Sequence, residues 1–300
     1  MKSLIAILTY RRAAPLIRFV NEIVANHPGV PIGIFEDCAN FDDTVEYLKR
    51  GADFVGSDAE LEAEVYLNGN VMAHIGWRNV GVAASSNKAL KWFMRQTEYD
   101  HLLLCNDDLT CNGDFVKPYA VAHQALGVGL FCFCPTKLGD DYVGPNVKVR
   151  GIDVHLVPRM TGAMMSLTRA VVERIGYFDV AFNKFGEEHS SYNARARLAG
   201  FCNLRGQPQL CLDLVKTPLD YRYDLKSSVS PVEKAYFDHL AAKAQQTIVP
   251  LLQTKSWYVE FRMLHNAVAG YGGRGIPTRW LDPVYTMVVD HRLADVSATL

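Results

Sequence analysis

Three hundred residues supply enough chain for one large α/β domain, or two closely packed halves, with a full apolar core. Hydrophobic residues make up 49% and charged residues 21%, which excludes a disordered or fibrous protein, and a net charge of −1 creates no global field to recruit nucleic acid or anionic lipid. The seven cysteines are odd in number and lack CxxC spacing, so they read as buried thiols rather than a disulfide framework or a zinc site.

Residues 3–8 form a short aliphatic run, expected to be a buried strand and too short for a signal-peptide core. Thr9-Tyr10-Arg11-Arg12 leads into a helix with Leu16, Phe19, Val20, Ile23 and Val24 on one face. A second strand over 31–35 ends in Glu36-Asp37, Asp42-Asp43 opens a short helix stopped by Gly51, and 52–55 reads as a third strand. The stretch 57–76, acidic and then Gly/Asn-rich, is expected to be a surface insertion. Helices are expected over 79–96 and 114–124, with a central strand over 101–105 between them. Further on come strands over 128–134 and 163–167, alternation over 147–157, helices over 168–175 and 186–199, and short strands over 202–214. Beyond residue 218 the pattern turns helical, 232–249 most clearly, with a flexible glycine loop at 270–275. Alternating strands and helices imply an α/β fold with a mostly parallel sheet covered by helices on both faces. No apolar stretch approaches the length of a membrane span, so the expected setting is cytoplasmic.

The most informative feature is Asn106-Asp107-Asp108, directly after the central strand. Open α/β sheets bind ligands outside the carboxyl ends of their strands, and two adjacent carboxylates there make a hard oxygen site for Mg²⁺ or Mn²⁺ carrying a diphosphate. Taken alone, an acidic turn is more often a solvated loop or a helix N-cap.

Other patterns follow in a fixed order: Arg78-Asn79-x-Gly81 and Asn87, then Gly162-Ala163-Met164-Met165, Arg169, Gly176-Tyr177-Phe178-Asp179, and Glu187-Glu188-His189 with Arg195 and Gly200. This series resembles the GT-A-fold glycosyltransferases, specifically the family 2 type that uses nucleotide-diphosphate sugars, over roughly the first 215 residues. The resemblance implies a GT-A (Rossmann-like) core over 1–217, with a nucleotide-binding half at 1–110 and an acceptor half at 111–217. Residues 218–300 would form a C-terminal helical extension that bears on acceptor choice.

Position by position, the resemblance places the nucleotide sugar on Thr9, Tyr10, Arg11, Asp37, Asn79, Asn106 and Asp107, and a divalent metal, Mn²⁺ or Mg²⁺, on Asp108 with Asp107 in support. It implies a UDP- or dTDP-sugar donor and transfer with inversion; the acceptor stays open between glycan, lipid-linked sugar, protein and modified nucleic-acid base. The family's base is the aspartate of a Glu-Asp pair, and here Glu188-His189 stands in its place. Glu188, then Glu187, is the expected base with His189 assisting or binding metal, while His189 as the base is the alternative because imidazoles titrate near neutrality. For Glu187-Glu188 the plainer reading is complementation of a helix dipole. Near the last core strand, where a metal-binding histidine is common in the family, the chain offers Asp213 and Lys216. The rival readings are a sugar-phosphate nucleotidyltransferase, which lacks its expected glycine-rich loop here, and a non-catalytic binding protein on the same fold.

Overall fold

The structure is a computed structural model and describes residues 1–37, 42–134, 146–157, 162–180, 188–204, 207–208 and 211–221. In β1 (Ser3–Thr9) the side chains alternate between two apolar layers: Ile5 and Ile7 enter one core, Leu4, Ala6 and Leu8 the other. A strand buried on both faces needs helices on both sides of its sheet. The first face receives α1 (Ala13–Asn26) through Leu16, Phe19, Val20 and Ile23, whereas Val24, expected on that stripe, is exposed. β2 (Ile32–Glu36) pairs parallel to β1, and α2 (Asp43–Lys49) begins where Asp42 accepts the Thr44 and Val45 N–H groups.

The stretch expected as a surface insertion is sheet. β3 (Asp53–Asp58), β4 (Ala63–Asn68) and β5 (Val71–Gly76) form an antiparallel meander, and β5 then pairs parallel to β2. Its polarity has a physical reason: β3 is an outer, mostly exposed strand, and Gly69, at φ +60°, belongs to the tight turn between β4 and β5.

α3 (Val82–Arg95) brings Leu90, Trp92 and Phe93 to the second face, and β6 (His101–Asn106) runs parallel to β1 on its free side. After the short β7 (Leu109–Cys111), α4 (Val116–Leu126) adds Val116 and Tyr119 to the first face. Then come β8 (Leu130–Phe133), β9 (Asn146–Val149), β10 (Ile152–Val157) and β11 (Met164–Thr168), the last lying antiparallel between β6 and β8. α5 (Arg169–Ile175) and α6 (Glu188–Leu198) cover the second face through Val171, Val172, Ile175, Tyr192 and Ala196. β12 (Asn203–Leu204) pairs with β13 (Gln207–Pro208), β14 (Cys211–Leu214) with β10, and β15 (Leu219–Tyr221) with β7. The expected helix at 232–249 and loop at 270–275 lie outside the described residues. Among the described residues no helix is long and apolar enough to cross a membrane.

The main sheet has the order β3-β4-β5-β2-β1-β6-β11-β8. The chain leaves β1 to one side to build β2 and to the other to build β6, so a crevice opens at the carboxyl ends of these strands. Away from that crevice, a buried polar chain ties β1, β6, β11 and α4 together. His101 sits 2.8 Å from both Ser3 Oγ and Ser166 Oγ, and His123 lies 2.9 Å from Ser166 Oγ and 2.8 Å from the Val128 carbonyl. A carbonyl only accepts, so each donor's direction follows in turn from Ser3 to Val128. Burial lowers the pKa of both imidazoles, that of His123 to about 4. The cysteines at 105, 111, 132, 134, 202 and 211 are buried free thiols, and Cys38 lies outside the described residues.

Candidate active site

Register aligns the strand ends that form the crevice: Thr9 stands opposite Glu36, and Leu8 opposite Asn106. The acidic turn is buried and largely committed. Thr9 donates its hydroxyl to Asp107 Oδ2 at 2.7 Å, and Arg12 Nη1 donates to Asp107 Oδ1 at 3.0 Å and to Asp108 Oδ2 at 3.2 Å. Asp108 Oδ1 is buried with no hydrogen-bond partner. Burial, only partly offset by Arg12 and Thr9, pushes the Asp107 carboxyl up to about 7.

Arg12, which sequence reasoning passed over in favour of Arg11, owes its place to local backbone. Arg11 adopts φ +55°, a left-handed turn, and its own side chain pairs with Asp42 at 3.3 Å in a partly exposed position. Arg12 then precedes α1 and turns inward over the acidic pair. The Arg11 N–H reaches the Glu36 carboxylate at 3.3 Å, but burial dominates and pushes the Glu36 carboxyl up to about 9. Tyr10 is half-buried at the same rim.

Asp37 closes one side of the crevice. Its carboxylate accepts the Val80 N–H at 3.1 Å and the Gly81 N–H at 2.8 Å, and Asn79 Oδ1 accepts the Gly81 N–H at 3.1 Å. The end of β2 is thereby tied to the start of α3. Beside it, Lys88 Nζ is buried with no hydrogen-bond partner, a second cation that sequence reasoning did not single out.

On the other side, the Asn106 N–H donates to the Ala163 carbonyl at 2.9 Å, so Gly162-Ala163 lies against the acidic turn. Gly162, at φ +71°, is packed on His189. His189 Nδ1 is 2.9 Å from Glu188 Oε1, its ring meets Phe178 edge-on at 5.4 Å, and Glu188 Oε2 is buried without a partner. The turn and the Glu188–His189 pair, 80 residues apart in sequence, thus meet through Gly162-Ala163. Glu187 lies outside the described residues.

Several residues of the motif series hold backbone instead of lining the crevice. Arg169 donates to the carbonyls of Phe93, Met94, Gln96 and Tyr99 where α3 ends. Arg195 donates to Ile175 and Tyr177 carbonyls, and Asn87 exchanges two hydrogen bonds with the Phe178 backbone. Asp213 is also internal: it accepts from the Tyr119 hydroxyl and the Cys134 N–H, each at 2.7 Å, and burial pushes it up to about 7. Lys216 is exposed.

No group of three or more His, Cys, Asp or Glu side chains among the described residues is arranged to hold a metal ion alone. Two adjacent carboxylates with an orphaned buried oxygen do fit an ion shared with a diphosphate, because Mg²⁺-like cations bind through one or two carboxylates plus phosphate oxygens and water.

No protein-family model matches the sequence, and no curated protein matches it. In three dimensions the chain is similar to GalNAc-T7, solved with UDP, GalNAc and Mn²⁺, at TM-score 0.52 and 12% identity, over 96% of this chain and 58% of that chain. It is also similar to S. aureus TarS 1-349 in complex with UDP-GlcNAc, at TM-score 0.51 and 13% identity, over 90% of this chain and 73% of that chain. Strand order, the crevice beside β1 and these two likenesses agree: the chain has a GT-A-like fold.

Proposed function

We propose that the protein transfers a sugar from a nucleotide-diphosphate donor, UDP- or dTDP-linked, to an acceptor hydroxyl with inversion. The observation that carries this reading is the Gly162-Ala163 segment, where Ala163 accepts the Asn106 N–H and Gly162 packs on His189, so that a diphosphate-suited acidic turn and a buried acid–imidazole pair flank one segment. Thr9, Tyr10, Arg11, Asp37 and Asn79 hold the base and ribose, and Asn106 and Asp107 orient the ribose–diphosphate–sugar end. Asp108, with Asp107, would hold Mn²⁺ or Mg²⁺, which when bound supplies Lewis-acid stabilisation of the leaving diphosphate. The Glu188–His189 pair takes the acceptor proton as positive charge develops at the anomeric carbon. Residues 1–110 act as the nucleotide half and 111–217 as the acceptor half, with 218–300 bearing on the choice among glycan, lipid-linked sugar, protein and modified-base acceptors. The expected setting is the cytoplasm.

Release of UDP or dTDP from a panel of UDP- and dTDP-sugars, with Mn²⁺ and with a chelator, tests this. Release from at least one donor, raised by Mn²⁺, is the expected result. Nucleotide binding without any release points to a non-catalytic binding protein on this fold. No nucleotide binding overturns the reading entirely.

A further inference from the structure

We infer that Arg12 is a built-in counter-cation that a divalent ion must displace from the acidic turn, so that metal binding and movement of Arg12 form one exchange. This rests on the proposed function, in which Asp107 and Asp108 meet the metal. The argument begins with the oxygens. Asp107 and Asp108 offer four, of which Thr9 holds one, Arg12 holds two and one is orphaned. With Arg12 in place, a single carboxylate oxygen of the turn is free of hydrogen bonds, and no third acidic, histidine or cysteine ligand stands by among the described residues.

Hard divalent ions demand several oxygens at short range. The two that Arg12 holds, Asp107 Oδ1 and Asp108 Oδ2, are the ones the ion lacks. Sharing the oxygens is opposed by charge, because the guanidinium is largely buried and a dication beside it would be repelled with little screening. A nucleotide diphosphate resolves the conflict: it brings phosphate oxygens to the ion and offers the released guanidinium the bidentate partner it prefers. Metal and nucleotide should therefore bind with strong positive coupling, carried by Arg12.

The test is titration of the full chain with Mn²⁺ alone, followed by calorimetry or Mn²⁺ electron resonance, for the wild type, Arg12→Gln and Arg12→Lys, each checked for a native melt. Removing the charge in Arg12→Gln should tighten Mn²⁺ binding about tenfold, within the usual span of site-to-site coupling, and UDP should then enhance it less than in the wild type. Arg12→Lys, which keeps the charge, should stay close to the wild type and separates a charge effect from altered folding. Unchanged or weaker Mn²⁺ binding in Arg12→Gln, or equal tightening in Arg12→Lys, overturns the exchange while leaving the proposed function standing. Absence of Mn²⁺ binding to all three, with UDP still bound, removes the metal from the proposed function and the exchange with it.

Discussion

Gly162 and His189 touch so closely that a Cβ on the glycine would come within 2.7 Å of Nδ1 and 2.9 Å of Cγ of the imidazole. Glu188 bonds that same nitrogen and Phe178 meets the ring edge-on, so the ring cannot yield without disturbing contacts it already makes. Gly162→Ala should therefore misplace His189 and lower turnover by about 10², the usual result of an ångström-scale displacement. Nucleotide affinity should stay near the wild-type value. The alanine also inherits φ +71°, which should cost roughly 1–2 kcal/mol of stability. Turnover and UDP binding measured on the same preparation decide it; full turnover would separate His189 from the reaction.

Substitutions in the pair itself should rank its members. If the carboxylate is the base, Glu188→Gln cuts turnover by about 10²–10⁴ with donor affinity retained, and His189→Ala costs less. If the imidazole is the base, the ranking reverses, and His189→Asp keeps activity while moving the acidic limb of the pH–rate profile downward, since aspartate titrates well below histidine. Negligible effects from all of them would leave transfer without a base here.

The two acidic anchors should fail differently. Asp108→Ala should abolish Mn²⁺-dependent donor binding with only a modest change in melting, because Oδ1 has no partner to lose and Arg12, released from Oδ2, still pairs with Asp107. Asp37→Ala should weaken nucleotide binding more than turnover and also destabilise by about 1–3 kcal/mol, because the Val80 N–H loses its carboxylate acceptor and Gly81 keeps only Asn79. Mn²⁺-stimulated transfer surviving in Asp108→Ala would remove that residue from the metal site.

Stability should fall as pH rises from about 7 to 8.5. Glu36 is the reason: its carboxyl is pushed up to about 9 in the folded protein, so its contribution is fully present below the unfolded value of about 4.5 and is lost as pH climbs toward 9. The buried histidines act in the opposite sense. With His74 and His123 lowered to about 4 and His101 also lowered, their contribution is present above the unfolded value near 6.5 and lost on acidification, leaving them silent above neutrality. Buried thiols join the alkaline loss only above about pH 8.5. Denaturant titrations at several pH values should show a loss of about 2 kcal/mol across this window, mostly removed in Glu36→Gln; Asp107 and Asp213, pushed up to about 7, act in the same sense but complete most of their loss below it. A flat wild-type profile would refute the assignment.

How much of this was legible in the sequence depended on which physical signal each element carries. β1, β2 and β6 announce themselves because burial on both faces demands unbroken aliphatic runs, and the acidic turn stands out because it ends one of them. The strand expected at 52–55 is the start of β3, whereas β4 and β5 were read as an insertion because the polar end of β3 and the Gly69 turn between them carry the composition of a loop. Arg12 could not be told from Arg11, since a left-handed backbone at Arg11 decides which of the two faces inward. Asn87, Arg169 and Arg195 were legible as a pattern and not as a role, because a side chain that binds backbone leaves the same spacing as one that binds a ligand.

β8 precedes β11 in the chain yet sits outside it in the sheet, with β11 as its ladder partner. During synthesis, Leu130–Phe133, every residue destined for burial, emerges before the strand that will receive it on the β6 edge. The sheet therefore cannot grow outward in the order in which it is made. β6 must keep one edge vacant until residue 168 has appeared, and until then β8 is a sticky apolar segment without a seat. A nascent chain halted before Met164 should recruit chaperones at this segment, and one released after Thr168 should not.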